Sequence, residues 1–258
     1  MPEAAADAAT RVAAGITTTA AAAAALTPVT LGGFTPLSTT DWPGKLAAVV
    51  FLQGCPWRCG YCHNAALQPR CASAAAPHWS DVLATLKRRV GLLDGVVFSG
   101  GEPTLQRGLA EAIADVRALG LQTGLHTAGI YPARLAALLP LLDWVGFDLK
   151  TDLADAGAYD TLAGAGHSAV AVRRALDALL ASGVAFEIRT TYHPLLIGDA
   201  ALLGMARTLQ GLGITQWVLQ RWQANADPAQ QALVPAWRWP PEPLLQVLRE
   251  HVAGLRLR

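Results

Sequence analysis

The chain has 258 residues, of which 52% are hydrophobic and 15% charged, and its formal net charge is +1. This length and apolar content suit one large domain with a sizeable core. The near-neutral balance argues against a nucleic-acid-binding face, and no apolar run reaches the roughly 18 residues of a membrane span.

Residues 2–26 are mostly Ala and Thr, interrupted by Glu3, Asp7 and Arg11. A secretory leader needs a basic start and a compact apolar stretch, and a transit peptide avoids acids. Neither description fits. Segment 1–28 is expected to be a disordered or partly helical extension, and 29–258 the folded domain.

A regular alternation follows. Ala47–Gln53 reads as a short buried strand, and Ser80 as the N-cap of a helix over Asp81–Val90. Gly95–Ser99 is a second strand, and Leu105–Leu119 a helix stopped by Gly120. Leu121–His126 is a third strand, with a helix over Pro132–Leu139 behind it. Trp144–Leu149 is a fourth strand, and Ser168–Ala181 a helix ended by Gly183. Val184–Thr191 is a fifth strand, followed by the helix Ala200–Leu212. Ile214–Leu219 is a sixth strand, and Pro243–Ala253 the last helix.

Six strand–helix units imply an α/β fold with parallel strands and right-handed crossovers. Two architectures satisfy that pattern, an open doubly wound sheet and a (β/α) barrel. Both put their chemistry at the carboxyl ends of the strands.

The first strand runs into Gly54-Cys55-Pro56-Trp57-Arg58-Cys59-Gly60-Tyr61-Cys62-His63-Asn64. Clustered thiols in a chain of this size indicate a metal rather than a disulfide framework. Iron–sulfur clusters usually take four thiolates, so three leave one iron open to a substrate. A zinc site of Cys55, Cys59, Cys62 and His63 is one alternative. A closed electron-transfer cluster with Cys71 as fourth ligand is another.

The C-x3-C-x2-C spacing with Tyr61 directly before Cys62 resembles the signature of the radical S-adenosylmethionine (SAM) superfamily. Asp41-Trp42-Pro43-Gly44-Lys45, Val49–Pro56 and Tyr61-Cys62-His63-Asn64 resemble the glycyl-radical-enzyme activating proteins. Together with Gly32–Ser38 they look most like the activating protein of anaerobic ribonucleoside-triphosphate reductase. The resemblance covers about residues 30–221. It implies a partial (β/α)6 barrel, a 4Fe–4S cluster on Cys55, Cys59 and Cys62, and SAM on the open iron. It also implies a cytoplasmic enzyme with a glycyl radical enzyme as partner and a flavodoxin or ferredoxin as electron donor.

The resemblance carries further SAM contacts. Beside Tyr61 it implies Gly100, Gly101 and Glu102 in the Gly-Gly-Glu-Pro segment, with Glu102 meeting the methionine amino group. His126 and Thr127 end the third strand, where the family usually has an acid in place of His126, so a cation site there is in doubt. His126 is expected either to hydrogen-bond SAM or to sit at a strand end. Asp148 and Lys150 match a family D-x-K at the fourth strand, on one side by alternation. Arg189 matches a family Arg in the fifth, with a Glu187–Arg189 structural pair as the alternative. Residues 221–243 hold Trp222, Trp237, Trp239 and four prolines. They are expected to form a docking lid or to cover the base or edge of the barrel.

Overall fold

The short apolar segments between glycine and proline stops fold largely as their alternation predicts. The computed structural model describes residues 29–258, so the expected extension over 1–28 lies outside the described residues. In chain order the elements are β1 (Leu31–Ser38), β2 (Ala47–Leu52), α1 (Trp79–Lys87), β3 (Gly95–Gly100), α2 (Leu109–Ala118), β4 (Gln122–Thr127), α3 (Pro132–Leu138) and β5 (Trp144–Asp148). They continue with α4 (Ala156–Ala163), α5 (Ser168–Ser182), β6 (Ala185–Tyr192), α6 (Asp199–Gly211), β7 (Gln216–Arg221), α7 (Pro228–Gln231), α8 (Glu242–His251) and β8 (Gly254–Leu257).

The eight strands form one sheet in strict sequence order, β1 to β8. The β1–β2 pair is antiparallel and every later pair is parallel. A doubly wound sheet must reverse its strand order at a switch point. This one never reverses, so crossovers of one hand stack the helices on one face. The other face curls around a lumen. Among the described residues no pairing joins β8 to β1, so the barrel is partial and open along that side.

Six expected strands are present as β2–β7, and two edge strands were not expected. Gly32, Gly33 and Pro36 disguise β1, and proline is tolerated there because an edge strand has an unpaired side. Strand β8 has only four residues. Helix α4 was also not expected, although its signals are local. The Asp155 carboxylate accepts from the Ala158 amide at 2.9 Å, and Gly164 ends the helix at φ 63°.

Alternation sorts each strand into a helix-facing and a lumen-facing set. Ala48, Val50, Leu52, Val96 and Phe98 face outward into the main core with the helices. Ala47, Val97 and Trp144 face inward and form a second small core with Trp42. The β1–β2 loop folds Trp42 into the amino end of the lumen, where it stacks on Trp144 at 5.5 Å and 18°. A Cβ on Gly95 or Gly124 would lie 3.0 Å from the Trp42 ring, so those glycines make its room. The lumen is therefore plugged at one end and hollow at the carboxyl end.

Glu187 and Arg189 both face the lumen, but the pair between them, the alternative reading of Arg189, does not form. Glu187 meets Arg256 at 2.8 Å and Arg258 at 3.0 Å, both on or just after β8. Arg189 instead grips Asp148 through Nε at 3.0 Å and Nη2 at 2.7 Å. Residues two apart on a strand point the same way, whereas residues in register on neighbouring strands lie side by side. Asp148 and Arg189 are such a register pair.

Trp42 is 5% exposed and anchors the plug. Replacing it with Ala should lower unfolding stability by about 3–5 kcal/mol. Urea unfolding measures this, and a loss below about 1 kcal/mol would mean that the plug is not structural.

Candidate active site

The cysteine loop leaves β2 through Gly54, whose φ of 98° turns the chain back toward the sheet. Its backbone is tied from three sides. The amides of Gly54 and Cys55 donate to the carbonyls of Leu67 and Gln68 at 2.8 and 3.0 Å. The Arg58 amide donates to Ala163 at the end of α4, at 3.0 Å. Trp222 Nε1 donates to the Tyr61 carbonyl at 3.2 Å, and Gln230 Nε2 to that of Gly60 at 2.8 Å. With the backbone held outward, the thiols of Cys55, Cys59 and Cys62 line a cavity of about 340 Å³. Burial pushes the Cys55 thiol up to about 12 and also raises Cys62. A bound iron would reverse that preference, since a coordinating thiol is deprotonated.

All twelve residues singled out in the sequence lie on the wall of this cavity. Gly100 and Gly101 bring β3 against the cysteine loop. A Cβ on Gly100 would lie 2.3 Å from the Leu52 backbone, and one on Gly101 2.3 Å from the Gly54 carbonyl. The glycine requirement is thus already explained by strand packing. Glu102 is 1% exposed and ties two strand ends together. Its Oε1 accepts from the Thr104 amide at 3.1 Å, Thr104 Oγ1 at 2.6 Å and Thr127 Oγ1 at 2.7 Å. Its Oε2 accepts only from the Ala128 amide, at 3.0 Å, so one oxygen keeps capacity for a ligand. Burial raises the Glu102 pKa, and the Thr104, Thr127 and Ala128 bonds oppose that rise.

Asp148 and Lys150 reach the cavity from β5 and the turn after it. Burial would raise Asp148, but Arg189, Lys150 and His126 outweigh it and hold the carboxyl below its usual range. The Lys150 ammonium sits 5.8 Å from the Trp57 ring and 5.6 Å from the Tyr61 ring. Burial alone would lower its pKa, yet the surrounding Tyr61, Cys59 and Asp148 raise it well above the ordinary value. Among the described residues it makes no ion pair, which leaves this cation open to a ligand carboxylate.

His126 lies deeper, and both its ring nitrogens have protein partners. Nε2 lies 2.8 Å from the Asp41 carbonyl, which can only accept, so Nε2 carries the proton. Nδ1 is then the acceptor for Ser99 Oγ at 3.2 Å. The ring braces the plug loop against β3 and β4. Cavity residues not expected as cluster or SAM contacts include Trp57, Ser99, Thr191 and Gln220. Trp57 and Ser99 stand in or beside the cysteine and Gly-Gly-Glu-Pro strings, whereas the signal for Thr191 and Gln220 is only a polar residue at the carboxyl end of a strand.

The donor set fits an open cluster better than the two closed alternatives. Cys71 is exposed and is not on the cavity wall. His63 Nε2 accepts from the Gln223 amide at 2.9 Å, which occupies the lone pair a zinc ion would need. Among the described residues, no three His, Cys, Asp or Glu converge on a point that would hold a single metal ion. A cubane places each thiolate on a separate iron and does not require such convergence.

The family model of the Radical SAM superfamily matches residues 49–199, more than half of the chain. The chain belongs to the radical SAM superfamily. The cofactors of this radical SAM enzyme are a 4Fe–4S cluster and SAM. A protein of Methanocaldococcus jannaschii named as a glycyl-radical enzyme activating enzyme is 28% identical over 186 residues, covering 70% of this chain and 75% of that protein. A pyruvate formate-lyase-activating enzyme of Clostridium pasteurianum is 34% identical over 122 residues, 44% of this chain and 49% of that one. A PqqA peptide cyclase of Xanthomonas euvesicatoria is 34% identical over 146 residues, 54% of this chain and 37% of that one. The SAM-bound crystal structure of Streptococcus suis SuiB shares the fold, with a TM-score of 0.56 at 16% identity over 80% of this chain and 48% of that one. Apart from the Methanocaldococcus jannaschii protein, these matches span half or less of the relatives' own length. No helix among the described residues is long and apolar enough to cross a membrane.

The His126 environment gives a pH prediction. Burial, then Arg189, lowers its pKa to about 3, with Arg258 adding to that and Asp148 and the Asp41 carbonyl opposing. In the unfolded chain histidine titrates near 6.5. As pH falls from about 6.5 toward 3, the unfolded chain binds a proton that the fold refuses, so stability drops by up to about 1.4 kcal/mol per pH unit. Urea midpoints at pH 7 and 5 should fall more steeply for wild type than for His126→Gln. Equal slopes would show that His126 is not buried neutral.

Proposed function

We propose that the chain is a radical SAM activase that generates a glycyl radical on a partner enzyme. The carrying observation is one cavity lined by three thiols, a free ammonium and a half-satisfied carboxylate, inside a barrel open along one side. Cys55, Cys59 and Cys62 hold the 4Fe–4S cluster, with no fourth protein ligand. Lys150 faces the carboxylate of SAM, and Glu102 Oε2 its amino group. Tyr61 and Trp57 hold the Lys150 side chain in place between their rings. Gly100, Gly101 and Thr127 shape the wall that keeps water from the ligand. Asp148 and Arg189 neutralise each other, and His126 keeps the plug from retreating. When bound, the cluster and SAM supply a one-electron reductive cleavage of the sulfonium carbon–sulfur bond, and with it a carbon radical that abstracts hydrogen.

The open β1–β8 side gives a peptide loop room to approach that radical, which a sealed barrel would deny. The sequence string over residues 32–64 favours anaerobic ribonucleoside-triphosphate reductase as partner, with a flavodoxin or ferredoxin supplying the electron. The pyruvate formate-lyase system is the second reading, favoured by the Clostridium pasteurianum relative.

Electron paramagnetic resonance on the reconstituted chain tests this reading. With SAM, reductant and an anaerobic ribonucleotide reductase from the same genome, a glycyl-radical doublet is expected. Cys59→Ala should abolish both the doublet and formation of 5′-deoxyadenosine. Full activity in that variant would overturn the assignment. Formation of 5′-deoxyadenosine without a doublet would reject this partner and point to another, or to a small-molecule or peptide substrate.

A further inference from the structure

Four polar atoms of residues 60–63 take their hydrogen bonds from a segment about 160 residues away, between Trp222 and Gln230. Gln230 Nε2 donates to the Gly60 carbonyl at 2.8 Å and the Cys62 carbonyl at 3.4 Å. Asn225 Nδ2 donates to the same Cys62 carbonyl at 3.2 Å. Trp222 Nε1 takes the Tyr61 carbonyl, and the Gln223 amide takes His63. The whole turn between the second and third thiols is thus gripped by one strap.

Gln230 is the centre of the strap. It is 3% exposed, and a buried amide is costly unless its polar atoms are met. Its Oε1 accepts from the Asn225 amide at 3.2 Å, so its Nε2 must face the cysteine loop. Asn225 is in turn fixed by accepting from the Asp227 amide at 2.8 Å. Helix α7, which carries Gln230, is only four residues long and presents no other buried side chain. The strap is the first part of the 221–243 segment, which was expected to be a docking lid or a cover for the barrel base or edge, and these bonds set it against the cysteine loop.

We propose that Gln230, supported by Asn225, is a positioning residue for the cluster, holding the Cys59–Cys62 turn so that both thiols face the cavity before iron binds. This rests on the reading that the three cysteines hold a 4Fe–4S cluster. A thiolate released from iron stays in place to rebind only while its loop is held. Loss of a partner bonded directly to a ligating side chain typically lowers metal affinity by about 10–100-fold, and a partner that holds the ligand's backbone should act at the lower end of that range.

The test uses the full chain reconstituted anaerobically with ferrous iron and sulfide, then challenged with EDTA while iron content and cluster absorbance are followed. Gln230→Met keeps the side-chain length without the donor, and Asn225→Ala removes the bond to the Cys62 carbonyl together with the brace from the Asp227 amide. Leu248→Ala is the control, because Leu248 is fully buried in α8 and makes no contact with the loop through hydrogen bonds. Both strap variants should lose the cluster about tenfold faster than wild type. Leu248→Ala should keep the wild-type rate despite an equal or larger fall in its urea midpoint. Wild-type cluster lifetimes in both strap variants would overturn the proposal. So would equal acceleration in Leu248→Ala, which would make the effect one of global stability. A wild-type chain that takes up no four-iron cluster would overturn the underlying reading and the proposal together.

Discussion

A loop carrying three thiols has no ladder or helix to hold it, so its shape depends on what its backbone is bonded to. Here the loop from Gly54 to His63 is bonded to the returning chain at Leu67 and Gln68, to the end of α4, and to the strap after β7. Fixing each backbone residue costs about 1–2 kcal/mol, and each hydrogen bond returns a net of about 0.5–1.5 kcal/mol. No single bond can hold such a loop, and even bonds from three directions need the burial of Trp57 and Tyr61 beside them to offset the cost of ordering it. Gly164 belongs to the same device, since a Cβ there would lie 2.6 Å from the Arg58 carbonyl.

The lumen shows the same economy with charge. Buried charges are tolerated when paired, and most here are. Asp148 is held by Arg189, and Glu187 by Arg256 and Arg258. The second pairing also fastens β8 to β6, stiffening the barrel beside its open edge. Two groups are left incompletely matched, the Lys150 ammonium and Glu102 Oε2. Both lie on the cavity wall, where a zwitterionic ligand would complete them.

Much of the site was legible because it is written in contiguous strings. The cysteine spacing, Gly100-Gly101-Glu102, and Asp148 with Lys150 each stand at the end of a strand that could be recognised from its apolar run. Parallel winding in one direction then had to bring those ends together. The edges were less legible. Strand β1 is broken by Gly32, Gly33 and Pro36, and β8 has four residues, so neither shows a pattern of its own. Helix α4 was readable from Asp155 and Gly164, but its apolar residues form no marked stripe along one face, so it does not stand out.

The sequence by itself determined the strand–helix alternation and the thiol triad, because these follow from local period and from chemistry at known spacing, while its resemblance to a known family implied the other residues that converge on the cavity. Tertiary structure alone decided the pairings. Arg189 joins Asp148 because β5 and β6 lie in that register. Glu187 joins two arginines near the chain terminus because the sheet curls far enough to bring β8 alongside β7, within reach of β6. His126 became a brace because the plug loop carries the Asp41 carbonyl to it, and Gln230 met Gly60 across 170 residues. Such contacts depend on distances through space between segments far apart in the chain, and no local pattern of residue types encodes them.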